Sequence, residues 1–298
     1  MEYFLLVISV FLGTTKSILS KTVKSPNERA HRTLFSNAVM FTVAFIVVTL
    51  IGMRSFDSIQ NVPFFLSLGY AICTVGGQVA LMQAVSMGSV SISSLFYSCG
   101  FLLPTLFGTI YYTENFHFLQ GIGIFLIVIA FLLSIEKSDK KFSVKWLIYA
   151  LLGLFFSGMV GIIQKLFVKE YQEVSLDIFL SVSFAFMIFL SGMLYAILLI
   201  YAKKKASDTS LEKSKTAGKT WIALIVLGGT IGLANKLNTY LTGVLPSVVS
   251  FPVINGGTIF LTSIVSMSLF KEKLSVKQKV AIVIGIVAIL CIGIGKTL

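Results

Sequence analysis

Residues 58–113 read SIQNVPFFLSLGYAICTVGGQVALMQAVSMGSVSISSLFYSCGFLLPTLFGTIYYT, a run of 56 residues without one Asp, Glu, Lys or Arg. A hydrocarbon core of about 30 Å takes about 20 apolar residues of helix, each rising about 1.5 Å. The run therefore holds two membrane spans in succession. The rest of the 298-residue chain follows suit. Thr33–Met53, Asn115–Ile135, Trp146–Gln164 and Ile178–Ala202 are also free of charge and long enough for one crossing each. Tyr3–Ser20, Thr220 to about Gly243, about Leu245 to Phe270, and Val280–Gly295 complete an expected set of ten.

Composition agrees with a membrane protein. Hydrophobic residues make up 56% of the chain and charged ones 12%, about half the charged share of a soluble domain, and the mean hydropathy is +0.93. The net charge of +12 lies in short clusters between apolar runs, as in membrane-flanking loops, so no nucleic-acid partner is expected. The first run opens Met-Glu with no basic leader and carries Lys16, so it is expected to stay as a span. Cys73, Cys99 and Cys291 lie in apolar runs without CxxC pairing, and His31 and His117 lie in loops. No metal and no cofactor is expected.

Shifting the chain on itself by 158 positions lays Ser89-Val90 on Ser247-Val248, Glu114 on Glu272, Gln120 on Gln278, Ile124 on Ile282, Ala130 on Ala288 and Leu132 on Leu290. Two five-helix halves, 1–142 and 143–298, follow from this reading. Because five is odd, the second half enters from the opposite face, and the repeats are inverted. Basic residues test the inversion. Loops after the first, fifth, seventh and ninth spans carry four, four, six and four Lys or Arg, against Arg54, Lys169 and Lys296 on the other side. The rich face is cytoplasmic by the positive-inside rule, which puts both termini outside.

Each half closes alike. The first runs from Gly88-Ser89-Val90-Ser91-Ile92-Ser93-Ser94 to Glu114 and then Gln120-Gly121; the second runs from Pro246-Ser247-Val248-Val249-Ser250 to Glu272 and then Gln278. Gly158 stands seven residues before Lys165, and Gly13 and Lys21 stand near the equivalent place one position out of register. In this order the motifs resemble the drug/metabolite transporter superfamily, in particular its EamA-like ten-helix members, over essentially the whole chain. Pro104 and Pro252 are displaced from where that family often carries a proline in its fourth helix. The resemblance implies an all-α membrane carrier of ten transmembrane helices in two inverted EamA-like repeats.

Chemistry is sparse inside the spans. Gly218-Lys219-Thr220 and Gly295-Lys296-Thr297 mimic the end of a P-loop, but Lys213 and Leu290 stand where its first glycine belongs, so ATP hydrolysis is not expected. All acids lie in loops or at span ends and no His enters a span, which argues against an intramembrane enzyme and against carboxylate-coupled cation export. Glu114 and Glu272 are expected to act structurally, near helix N-termini. Lys16 and Lys165 lie near span ends and are expected to snorkel to the interface.

Lys236 is harder to place. It follows Thr220 by 16 residues, about 24 Å of helix, and Gln78 is its counterpart under the 158 shift. Symmetry-related polar residues deep in a bundle mark a central substrate site in inverted-repeat carriers. Lys236, Gln78, Tyr97, Asn255, Asn235, Asn238, Gln83 and Ser98 are the candidate substrate-binding residues, with Tyr97 and Asn255 again related by the shift. The paired glycines Gly76-Gly77, Gly228-Gly229 with Gly232, and Gly256-Gly257 are read as helix-packing sites.

The expected function is transport of a small polar organic metabolite, such as an amino acid or organic anion, across the plasma membrane, with export the favoured direction. A sugar-phosphate or nucleotide-sugar antiporter is the alternative, and a membrane enzyme or sensory subunit the non-transport one.

Overall fold

A computed structural model of the chain describes residues 1–23, 30–53, 61–87, 90–133, 143–205, 218–269 and 275–294. All regular structure there is helical: α1 (Glu2–Val23), α2 (Ala30–Ile51), α3 (Phe64–Met87), α4 (Val90–Cys99), α5 (Leu102–Tyr111), α6 (Phe118–Leu133), α7 (Val144–Glu170), α8 (Leu176–Lys205), α9 (Gly218–Val244), α10 (Ser247–Leu269) and α11 (Val276–Ile294). In lipid the backbone must satisfy its own hydrogen bonds, and a helix does so within one segment. Among the described residues nine stretches, with α4 and α5 taken together as Ile92–Tyr111, are long and apolar enough to cross a membrane. The chain is thus an all-helical, multi-pass membrane protein. The remaining expected span, Asn115–Ile135, contains the shorter apolar helix α6, 16 residues long. Half of the basic residues in the rich loops, with Arg54, Glu272 and Lys296, lie outside the described residues.

The fourth span is broken for a local reason. Pro104 has no N–H to give to the carbonyl of Gly100, four residues back. That carbonyl instead accepts from Leu103 at 3.1 Å, and Gly100 and Phe101 close short turns onto Tyr97 and Ser98, both at 3.2 Å. The break brings the backbone close to α7. A Cβ on Gly100 would lie 2.7 Å from the Leu154 carbonyl, and one on Gly158 would lie 2.8 Å from the Gly100 carbonyl.

By compactness the chain divides into one unit of Met1–Thr14, Cys73–Glu173 and Leu237–Leu298, and a second of Thr15–Ile72 and Val174–Lys236. Each draws on both sequence halves. In the first unit α6 and α11 pack along their lengths, with Ile127, Ala130, Ala288 and Ile292 fully buried. The helices begin in the same way. The His117 N–H donates to Gln120 Oε1 at 2.9 Å, and the Ser275 N–H donates to Gln278 Oε1 at 2.8 Å. In each helix a glutamine in the first turn reaches back to a backbone N–H that the helix leaves without a partner. In the second unit α2 packs along α8, burying Phe41 against Phe184. There α9 approaches α2 through Gly228 and Gly232, whose Cβ positions would lie 2.6 Å from the Met40 carbonyl and 3.1 Å from that of Ala44. These two glycines act as packing sites, as their spacing suggests.

Candidate functional site

Lys165 and Lys236, both in apolar helices, each stand in an ion pair, one in each unit. In the first unit the Lys165 side chain is fully buried, so the snorkelling expected from its place near a span end does not occur. Helix α7 runs on past it for five more residues to Glu170. The ammonium meets Glu114 Oε1 at 2.5 Å and donates to the carbonyl oxygens of Thr242, at 2.8 Å, and Leu245, at 3.4 Å. Those carbonyls belong to the end of α9, where the last turn has no helical acceptor role left.

Glu114 does the complementary work. Its Oε2 accepts from the Ser247 N–H at 2.6 Å, at the first residue of α10, where a carboxylate also meets the positive end of the helix dipole. The expected structural role near a helix N-terminus thus falls on α10 and not on α6, the helix that follows it in sequence. Thr113 turns the chain into place with φ 48°, a left-handed conformation disfavoured for a β-branched residue. Gly108 leaves the space, since a Cβ there would lie 2.1 Å from Ser247 Oγ and 2.7 Å from Glu114 Oε2. Nearby, the Tyr112 hydroxyl donates to Glu170 at 2.8 Å. Burial first, and that bond second, push the hydroxyl above the ordinary tyrosine range.

The second pair is built differently. Lys236 Nζ lies 2.7 Å from Asp177 Oδ1, with side chains 31% and 15% exposed. Oδ1 is buried and accepts no well-aligned hydrogen bond among the described residues; we take the 2.7 Å contact as a charge pair. Asp177 is the second residue of α8, and Lys236 lies eight residues before the end of α9, about 12 Å along the helix. An acid that the sequence places at a span end, Asp177, thus reaches a cation well inside a span. The clue was topological: α8 starts on the face where α9 ends, so an acid in the first turn of one reaches a cation two turns from the end of the other.

The surroundings of the pair are polar and tightly fitted. Gly52 at the end of α2 sits so close that a Cβ would fall 2.4 Å from that of Asp177. Ser181 Oγ donates to the Asp177 carbonyl at 2.7 Å, and Thr49 on α2 donates to Ser181 at 3.0 Å. Next to Lys236, Asn235 accepts from the Tyr70 hydroxyl of α3 at 2.6 Å and donates to the Ile231 carbonyl at 2.8 Å.

The other candidates fall in the first unit. Asn238 accepts a short hydrogen bond from Ser9 of α1. Asn255 donates to the Phe251 carbonyl of its own helix at 2.9 Å. Tyr97 lays its ring on Gly77, 3.3 Å from where a Cβ would stand. Gln78 and Gln83 lie on α3 and Ser98 on α4, all partly buried. The structure brings Asn235 and Lys236 together with Asp177 and Tyr70, while Asn238 is tied to α1. Among the described residues no group of three or more His, Cys, Asp or Glu is placed to hold a metal ion.

No protein-family model matches the chain, and no curated protein matches it. Twenty-eight solved chains do. One of them, described only as "Crystal structure of protein", covers 97% of this chain and 95% of its own, with a TM-score of 0.72 and 14% identity. At that identity the likeness is one of fold alone.

Proposed function

We propose that the chain is a plasma-membrane carrier of a small polar organic metabolite bearing an anionic group, an organic anion or an amino acid, working by alternating access. The observation that carries this is the Lys236–Asp177 pair: a cation two turns inside a span, about a third exposed, held by one carboxylate and flanked by Tyr70 and Asn235. Ionisable groups at such depth are costly and ordinarily face a pathway. A structural pair needs no such opening, as the buried Lys165 shows.

The two-repeat architecture of the drug/metabolite transporter type belongs to the same proposal. Under the 158 shift α6 corresponds to α11, and by span order α2 corresponds to α8; these are the helices that pack on one another. Gln120 and Gln278, also related by the shift, cap their helices by the same bond. Both features are expected of halves related by a two-fold axis.

The test is a thermal-shift screen of the purified chain against amino acids, organic anions, sugars, nucleotides and phosphates, followed by uptake of the hits into proteoliposomes. A ligand that binds the folded state alone raises the unfolding temperature. Hits confined to anionic or zwitterionic compounds, with saturable uptake, support the reading. Hits without uptake would replace the carrier by a sensor or accessory subunit.

A further inference from the structure

The same ion pair carries a second consequence, which rests on reading Lys236 as a substrate contact. We propose that Asp177 is the proton-accepting group of the carrier: an anionic substrate that takes the ammonium of Lys236 leaves the carboxylate of Asp177 without its cation, and the carboxylate takes one proton from water. Anion and proton then enter together.

The geometry favours exchange of partners. The contact is a single 2.7 Å approach to one carboxylate oxygen with no aligned hydrogen bond behind it, and the ammonium is the more exposed member. Among the described residues, the groups around Asp177 come from neighbouring helices. From α9 comes Lys236. From α2 come Gly52, which presses on the side chain, and Thr49, which is committed to Ser181. From α3 comes Tyr70, whose hydroxyl is committed to Asn235 and whose ring packs on Phe179 at 5.8 Å. Among the described residues no second cation lies against the carboxylate. A carboxylate mostly withdrawn from water and stripped of its counter-ion neutralises by protonation.

The charges balance. Before binding, the pair sums to zero; afterwards the ammonium is paired with the substrate anion and the carboxyl is neutral, so the site again sums to zero. The only bond formed is the carboxyl O–H, and Lys236 keeps its protons throughout. A carrier of this design crosses the membrane loaded without carrying net charge at the site.

Infrared spectroscopy of the full chain in lipid nanodiscs tests the proton site without a substrate. Lys236→Met removes the cation as an anion would, and Lys236→Gln is a second, polar replacement should the first fold poorly. At neutral pH each is expected to show a protonated-carboxyl band that is missing from the native chain and is lost again when Asp177→Asn is added. Absence of the band in both folded variants would overturn the proposal. Lactate and glutamate serve as anion probes: affinity in the native chain should weaken about tenfold for each pH unit of alkalinisation, since one proton is bound per anion, and Asp177→Asn should bind them without pH dependence. A native chain whose affinity ignores pH also overturns it. Should the band appear while neither probe nor any screened compound binds or is transported, the carrier reading falls and the proton site stands. Should uptake occur without the band, the reverse holds.

Discussion

Lys165–Glu114 and Lys236–Asp177 are the same chemistry put to different uses. The first pair is sealed: its ammonium also holds two carbonyls at the end of α9, and its carboxylate also holds the first N–H of α10. Each charge repairs a helix end, so the pair stitches the α9–α10 corner to α7 and to the end of α5. The second pair repairs nothing of the kind. It touches one atom on each side, is partly open, and sits among side chains whose own bonds are already made. Charges that close backbone bonds are fixtures of the fold, while a charge pair that closes none is free to exchange partners.

The largest break in this contrast is Lys165→Met. Removing one member of a buried pair strands the other and costs about 3–5 kcal/mol. Here the carbonyls of Thr242 and Leu245 lose their donor as well, so thermal unfolding in detergent should show a large drop or no folded yield. Pairing Lys165→Met with Glu114→Gln should recover part of the loss, because no lone charge remains. It should not recover all, since the backbone groups stay unmet. Full recovery would mean that the helix ends gain nothing from the pair.

Gly108→Ala probes the same corner without touching a charge. The new methyl would fall 2.1 Å from Ser247 Oγ and 2.7 Å from Glu114 Oε2, so the carboxylate must leave the α10 terminus or the helix must shift. Overpacking of this size costs about 1–3 kcal/mol. A calorimetric unfolding temperature equal to that of the native chain would show that the corner is looser than its distances indicate.

The span pattern was legible because charge-free runs of about 20 residues have one cheap solution in lipid. The break at Gly100 follows from Pro104, whose effect on the carbonyl four residues back is local, although the sequence reading used that proline only as a family landmark. The roles of the charges were not legible. The sequence puts Lys165 near a span end and Lys236 deep in an apolar stretch, which points the first to the interface and the second to a central site, whereas the structure buries the first and pairs the second with Asp177. What separates them is which helix ends meet them, and that depends on contacts between residues far apart along the chain. Asp177 was visible as an acid at the head of a span, yet only the packing of α8 on α9 turns it into a partner.

A smaller effect is expected at the paired helix caps. Gln120→Ala and Gln278→Ala each remove one bond to a backbone N–H, worth about 0.5–1.5 kcal/mol net. Gln120 is buried and Gln278 half-buried, and the bond of the first is the less exposed of the two, so the first substitution should cost more, because water has less access to replace it. Equal losses in chemical denaturation would indicate that solvent reaches both caps.

The largest effect on function belongs to Lys236→Gln. The ammonium is about a third exposed and caps no helix, so no backbone group loses its partner, and Asp177 sheds its stranded charge by taking a proton. The fold should therefore survive, with an unfolding temperature above that of Lys165→Met. Ligand binding should not survive: with no other described cation at the site, an anionic group has nothing to pair with, and affinity for any hit in the thermal-shift screen should fall more than tenfold. Lys236→Arg restores the charge but replaces a compact ammonium by a planar fork of different reach, and the close fit of Gly52 on Asp177 leaves little room to adapt, so it should rescue only in part. If Lys236→Gln unfolded as readily as Lys165→Met, the two pairs would be structural alike, and the contrast that assigns function to one of them would be lost.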